Sequence, residues 1–405
     1  MTGAPSPGNA PGQAPPWYTV KVDLLPGEQR GRTDRVYALV KFTFRIQGGR
    51  LRLAEAEPLA HPIPGEGDDP PLPPGTDFFP WKPYTDVVVK GSAFAPGGRP
   101  TVRSQVSLQV GGYTRSIAVF GRREVGWDSA GKLRIGEPEP FDEIPLTWEN
   151  AYGGVDSRVP APEPVEVPDY LLLQRDHPGL YPRNPFGRGY LAHPDPLESL
   201  EMPNLEDPTD LLTAERLVVR DPALWYLQPL PACFDFVSVG AFPRQIFFSA
   251  EAQPWFPAPE DERLPEVARG FLMPGYRSYM AEGNKLMAPL FFQAASHGFI
   301  FADLPPGTPI RIAGMHPEFP ELHFTLPSVL PLIRLLEEDR ALEGEPRLHH
   351  VVCRPADLTV NMVYGVRSRS NRTYLPGIHA EIPLAVQVGS ETPIPYLTPA
   401  PVKAP

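Results

Sequence analysis

Cysteine is almost absent. Cys233 and Cys353 are the only two in 405 residues, they stand far apart, and neither belongs to a C-x-x-C pair. The two could make one bridge, but a chain of this size needs no such staple, and both are expected as small buried thiols. Long apolar runs are missing too, since no stretch approaches the ~20 residues of a membrane-spanning helix. The opening MTGAPSPGNAPGQAPP lacks the basic start and apolar core of a secretory leader. These absences lead to the expectation of a cytoplasmic protein with no membrane partner. Positive charge is also short: 37 Lys and Arg stand against 48 Asp and Glu, a formal net charge of -11. Such a balance repels a phosphate backbone, so nucleic acid is not an expected partner.

The familiar catalytic and cofactor signatures are equally scarce. In YPRNPFGRGYLAH, residues 181–193, two glycines and two arginines lie within seven residues. A P-loop needs G-x-x-x-x-G-K-[ST], and a dinucleotide site needs a third glycine between a strand and a helix; neither fits. There is no G-x-S-x-G elbow and no H-E-x-x-H. The densest group of possible metal ligands is His349, His350 and Cys353 in LHHVVC. On a strand, however, His350 would face away from the other two. Asp142, Glu143, Glu149 and Asp156 cluster around FDEIPLTWENAYGG, where Trp148 and Tyr152 could stack on a sugar. A carbohydrate-active hydrolase using Glu149 and a nearby carboxylate is the alternative that this cluster keeps open. No cofactor is expected.

What the chain has in excess is proline: 57 residues, against a usual share of about 5%. Proline breaks helices and sits at strand edges and turns, which argues for a β-rich fold. Period-two alternation agrees. In RVYALVKFTFRI the apolar residues Val36, Ala38, Val40, Phe42, Phe44 and Ile46 alternate with Arg35, Lys41, Thr43 and Arg45, the pattern of a half-buried strand. Gly48-Gly49 then turns the chain into RLRLAEAEPL, and Gly111-Gly112 joins TVRSQVSLQV to YTRSIAVFG, two hairpin signals. Further strands are predicted in DVVVKGSAF, ELHFTLP, DLTVNMVYGV and HAEIPLAVQV, the last an edge because of Pro383. A short helix is predicted in DPTDLLTAERL, capped by Asp207 with Pro208 at its first position.

The expected fold is thus mostly β, with antiparallel, sandwich-like sheets, a loop-rich middle and a few short helices. Its predicted organisation is a disordered tail over 1–16, a β-rich unit over 17–150, a covering segment over 151–215, a second β-rich unit over 216–390 and a frayed tail over 391–405.

Seven segments occur in a fixed order: KPYTDVVVKGSAFAPGGRP, VFGRR, EPFDEIPLTWENAYGG, RNPFGRGY, MPNLEDP, FFQAA and GMHPEFPELHFTLP. Together they resemble the bacterial family called domain of unknown function 2169, over roughly residues 17–370. Members of that family are typically encoded in type VI secretion clusters. The resemblance therefore implies a non-enzymatic adaptor or chaperone that binds an effector, or its PAAR-type tip or spike protein, and helps load it. A structural component of the secretion particle is a further alternative. After FFQAA the chain departs from the family pattern, with SHGF at Ser296–Phe299.

The candidate partner-contacting residues in these motifs are Lys82, Asp86, Arg99, Arg122, Glu149, Arg183, Asn184, Arg188, Asn204, Glu206 and Asp207. The competing reading is that such polar groups, set in Gly/Pro-rich loops, bond one another and fix the backbone. By that reading Gly187 and Gly189 permit backbone angles closed to other residues, and Arg183, Asn184 and Arg188 tie the middle layer to the sheets. LWYL (224–227), PWFP (254–257) and GYRSYM (275–280) are candidate aromatic contacts.

Overall fold

A computed structural model describes residues 18–25, 35–60, 77, 82, 84–160, 179–193, 199–217, 219, 225, 227–238, 241, 293–296, 298–328, 331–337, 340–342, 344–369 and 384–389. Within them the chain is mostly β. The larger sheet runs, in spatial order, Tyr18–Leu25, Arg35–Gln47, Thr359–Arg369, Arg347–Arg354, Thr85–Val89 and Ile300–Phe301, with Arg50–Leu53 folded back on Arg35–Gln47. Every pair is antiparallel except Arg347–Arg354 beside Thr85–Val89. The second sheet is antiparallel throughout, in the order Leu205–Glu206, Tyr113–Phe120, Arg103–Val110, Pro309–Ala313 and Glu321–Thr325.

Alternation explains how the two sheets meet. Val40, Phe42, Phe44 and Met362 point from the first sheet, and Val106, Leu108, Val110, Ile310 and Phe324 from the second, into one continuous apolar core. Both expected hairpins form: Arg35–Gln47 pairs with Arg50–Leu53, and Arg103–Val110 with Tyr113–Phe120. Gly48 and Gly49 have φ of 54° and 75°, as a two-residue turn with two left-handed positions requires. Strands from 17–150 and from 216–390 pair directly with one another in both sheets, so the boundary between those stretches runs through the sheets.

Two local expectations are corrected. Arg35–Gln47 is not half-buried along its length, because Lys41 and Thr43 on the supposed solvent face are buried. That face is covered by a polar layer that neutralises Lys41, as described below. The predicted helix from Pro208 does not form; only the turn Ala214–Leu217 is helical. Asp207 instead closes a local turn, its carboxylate accepting from Thr209 N at 2.9 Å, while Glu206 takes the Leu212 backbone N–H at 2.7 Å. A helix running through 208–217 would need that N–H for its own ladder. Pro383, PWFP and GYRSYM lie outside the described residues, as do Leu224 and Tyr226.

Candidate partner-binding surface

The motif residues separate by exposure, and exposure decides which of them can meet a partner. Lys82 and Asp86 cannot, since both are fully buried on the face of the larger sheet turned away from the main core. Lys82 Nζ donates to Asp86 Oδ2 at 2.5 Å, and the same carboxylate accepts from Gln293 Nε2 and Ala294 N, both at 2.7 Å. Asp86 thereby fixes the last residues of FFQAA against the sheet. In the divergent SHGF that follows, Ser296 O accepts from Phe299 N, and the buried Phe299 ring meets Phe234 and Tyr113 edge-on.

The same face holds polar residues that alternation alone did not reveal. Lys41 Nζ lies 3.0 Å from Asp77 Oδ2, and Asp77 Oδ1 lies 2.8 Å from His350 Nε2. Burial opposes ionisation of Asp77, but His350, Lys41 and the Ala60 N–H outweigh it and hold the carboxyl well below its ordinary range. Burial pushes the His350 imidazole down against the pull of Asp77. Glu57 meets Arg354 and also accepts from Asn361 Nδ2 at 2.9 Å. Partners as distant in sequence as Asp77 and His350 leave no spacing signal to find.

A second group knots the middle of the chain. Tyr152–Gly153 and Arg188–Gly189 form a short parallel ladder, and Asn184 Nδ2 donates to the carbonyls of Trp148 and Tyr152 at 2.7 and 3.1 Å. Gly189 has φ of 93°, whereas Gly187 does not lie in the left-handed region. Gly187 is needed for closeness instead: a Cβ there would overlap the Ala151 carbonyl oxygen and Asn184 Nδ2. Beneath lies a cluster of Tyr152, Tyr181 and Tyr190, with ring centroids 5.1 to 6.4 Å apart. Arg183 donates to Tyr181 and to the Gln228 carbonyl and faces the Trp225 ring, so it ties the middle layer to itself. Asn204 binds the Phe120 carbonyl at 2.9 Å and Glu206 pairs with Arg123, which joins this layer to the second sheet.

Of the other motif residues, Arg122, Glu149 and Arg188 reach the surface together. Arg188 Nε donates to the Glu149 carbonyl at 2.9 Å, its Nη2 to Asn150 Oδ1 at 3.0 Å and its Nη1 to Glu201 at 2.6 Å. Arg122 pairs with Glu124 and lies 3.7 Å from Glu139 and 4.0 Å from Glu201. Glu201 links the two arginines into one exposed ridge. Asp207, partly buried, meets Arg115 at 3.5 Å, and Arg99 is exposed on the turn after Pro96–Gly98, apart from the ridge's ion pairs.

The chemistry considered for the carboxylate cluster meets two obstacles here. The Tyr152 ring is 1% exposed and offers no stacking surface. Asp156 is committed internally: Arg158 holds it, and it accepts from the backbone N–H groups of Ala192 and His193 at 3.0 and 2.9 Å. Burial alone would raise its pKa, but those partners bring it down to about 2. Among the described residues no three His, Cys, Asp or Glu side chains converge as metal ligands. The LHHVVC strand has a bulge between Leu348 and His350, and Cys353 is a buried free thiol, as is Cys233. No helix among the described residues is long and apolar enough to cross a membrane.

A family model described as "Uncharacterized protein conserved in bacteria (DUF2169)" matches residues 30–365. No curated protein and no solved structure matches the chain.

Proposed function

The chain belongs to DUF2169, and from that premise we propose that it is a non-enzymatic, cytoplasmic adaptor that binds a type VI secretion effector, or its PAAR-type tip or spike protein, and helps load it. The observation that carries this reading is the division of the motif residues. Most are consumed in bonds within the fold, while Arg122, Glu149 and Arg188 come to the surface in one ridge. A ridge of that kind, carried on loops that are fixed from beneath, suits recognition of another protein's surface.

The test is genetic and biochemical. Deleting the gene should lower the level or secretion of one neighbouring effector and spare the rest, and the chain should co-purify with the product of an adjacent gene. Equal loss of all secretion would instead mark a structural component, which should also be present at fixed stoichiometry in purified particles. A loading adaptor should be depleted from them.

A further inference from the structure

The loop at the centre of RNPFGRGY exposes a large apolar side chain. Asn184 grips the turn Trp148–Asn150 at the Trp148 carbonyl, and Arg188 grips it at the Glu149 carbonyl and Asn150 side chain. Between these two grips stands Phe186, 41% exposed. The loop has no slack with which to fold the ring inward, since Gly187 and Gly154 are packed backbone to backbone. Val155, next to Gly154, is also 43% exposed. Isolated exposed apolar residues are ordinary on protein surfaces, and Phe319 shows the contrast. Although 45% exposed, its ring lies on His316 with centroids 4.6 Å apart. Phe186 has no ring contact with any described residue, and it adjoins the charged ridge.

We infer that Phe186 anchors the interface, entering an apolar pocket on the partner protein whose rim carries lysines or arginines. This rests on the adaptor reading above. The rim's sign follows from the ridge, where Glu124, Glu139 and Glu201 already pair with the two arginines and Glu149, whose carbonyl Arg188 binds, adds a further exposed carboxylate. Uncompensated negative charge around an aromatic anchor selects a cationic counterpart and speeds encounter with it. A rigid loop also spares the ordering cost that a flexible anchor would incur on binding.

The experiment uses the full chain and each purified product of an adjacent gene, titrated by calorimetry at low and high salt. Phe186→Ser should weaken the product that binds by at least about 30-fold, as for the loss of a central anchor. Phe319→Ser, the control of matched size, should leave binding unchanged, and added salt should weaken it. Circular dichroism would verify that both variants fold. If a product binds and Phe186→Ser has no effect, or Phe319→Ser weakens it equally, the anchor is refuted while the adaptor reading survives. Binding that is unchanged by salt overturns the cationic rim. Loss of self-association in Phe186→Ser would make a second copy the occupant and overturn the heterologous partner. If no product binds, the adaptor reading fails and takes the anchor with it.

Discussion

At the scale of single residues, Gly187 separates two reasons for using glycine. The expectation from sequence was conformational, a backbone angle closed to other residues, and Gly189 fits it with φ of 93°. Gly187 instead occupies a space where the Ala151 carbonyl, Asn184 Nδ2 and the Gly153 N–H all converge. A methyl group there cannot be accommodated by a rotamer change, because two of the three atoms belong to the backbone. Gly187→Ala should therefore destabilise the protein by roughly 2–4 kcal/mol, in the range of a steric clash in a packed interior. Gly112→Ala, with nothing within 4 Å of the added carbon and no left-handed φ, should stay within about 0.5 kcal/mol. Urea midpoints of the two variants give the comparison, and similar values would refute the close-approach account.

At the scale of elements, the buried pair Lys82–Asp86 acts as a clasp between two distant segments. Asp86 begins a strand pair with His350 and accepts from Gln293 and Ala294, more than 200 residues away. Removing one partner of a buried pair leaves uncompensated polar groups, so Asp86→Ala should cost about 3–5 kcal/mol. Combining Lys82→Met with Asp86→Leu should recover part of that loss but not all, since Gln293 Nε2 and the Ala294 N–H still lack this acceptor. Denaturant unfolding of the single and double variants checks the order, and a double variant less stable than Asp86→Ala would contradict it.

The same elements show what sequence reading can reach. Alternation located Arg35–Gln47 and Thr359–Arg369 and picked out Ala38, Val40, Phe42, Phe44 and Ile46 as apolar positions that the structure buries. It misjudged Lys41 because a lysine at an alternate position looks solvent-facing whenever its neutralising carboxylate is remote, here Asp77. Candidate-site residues were legible as motifs, yet their exposure was not. Arg183 and Arg188 stand five positions apart in one loop, but the first is buried against Tyr181 and Gln228 while the second reaches Glu201 at the surface. Phe186 gave no signal beyond its place between them.

At the scale of the whole molecule, chain connectivity and sheet connectivity disagree in a way that bears on folding. The strand Thr85–Val89 has Arg347–Arg354 on one side and Ile300–Phe301 on the other, and Arg103–Val110 borders Pro309–Ala313. Each sheet thus needs strands from early and late in the chain, and the two sheets share one apolar core. No stretch of the first 299 residues can complete either sheet. A chain ending at residue 299 should accordingly fail to fold, having lost neighbours for Arg35–Gln47, Thr85–Val89 and Arg103–Val110 at once. The intact chain should lose its sheets together, despite a length at which separate units are common. Urea unfolding followed by far-UV circular dichroism and by tryptophan fluorescence should give coincident transitions, because Trp127 and Trp148 sit in layers packed on those sheets. Two resolved midpoints, or a folded and cooperatively melting 1–299 fragment, would show that the middle layer or the early strands form a unit of their own.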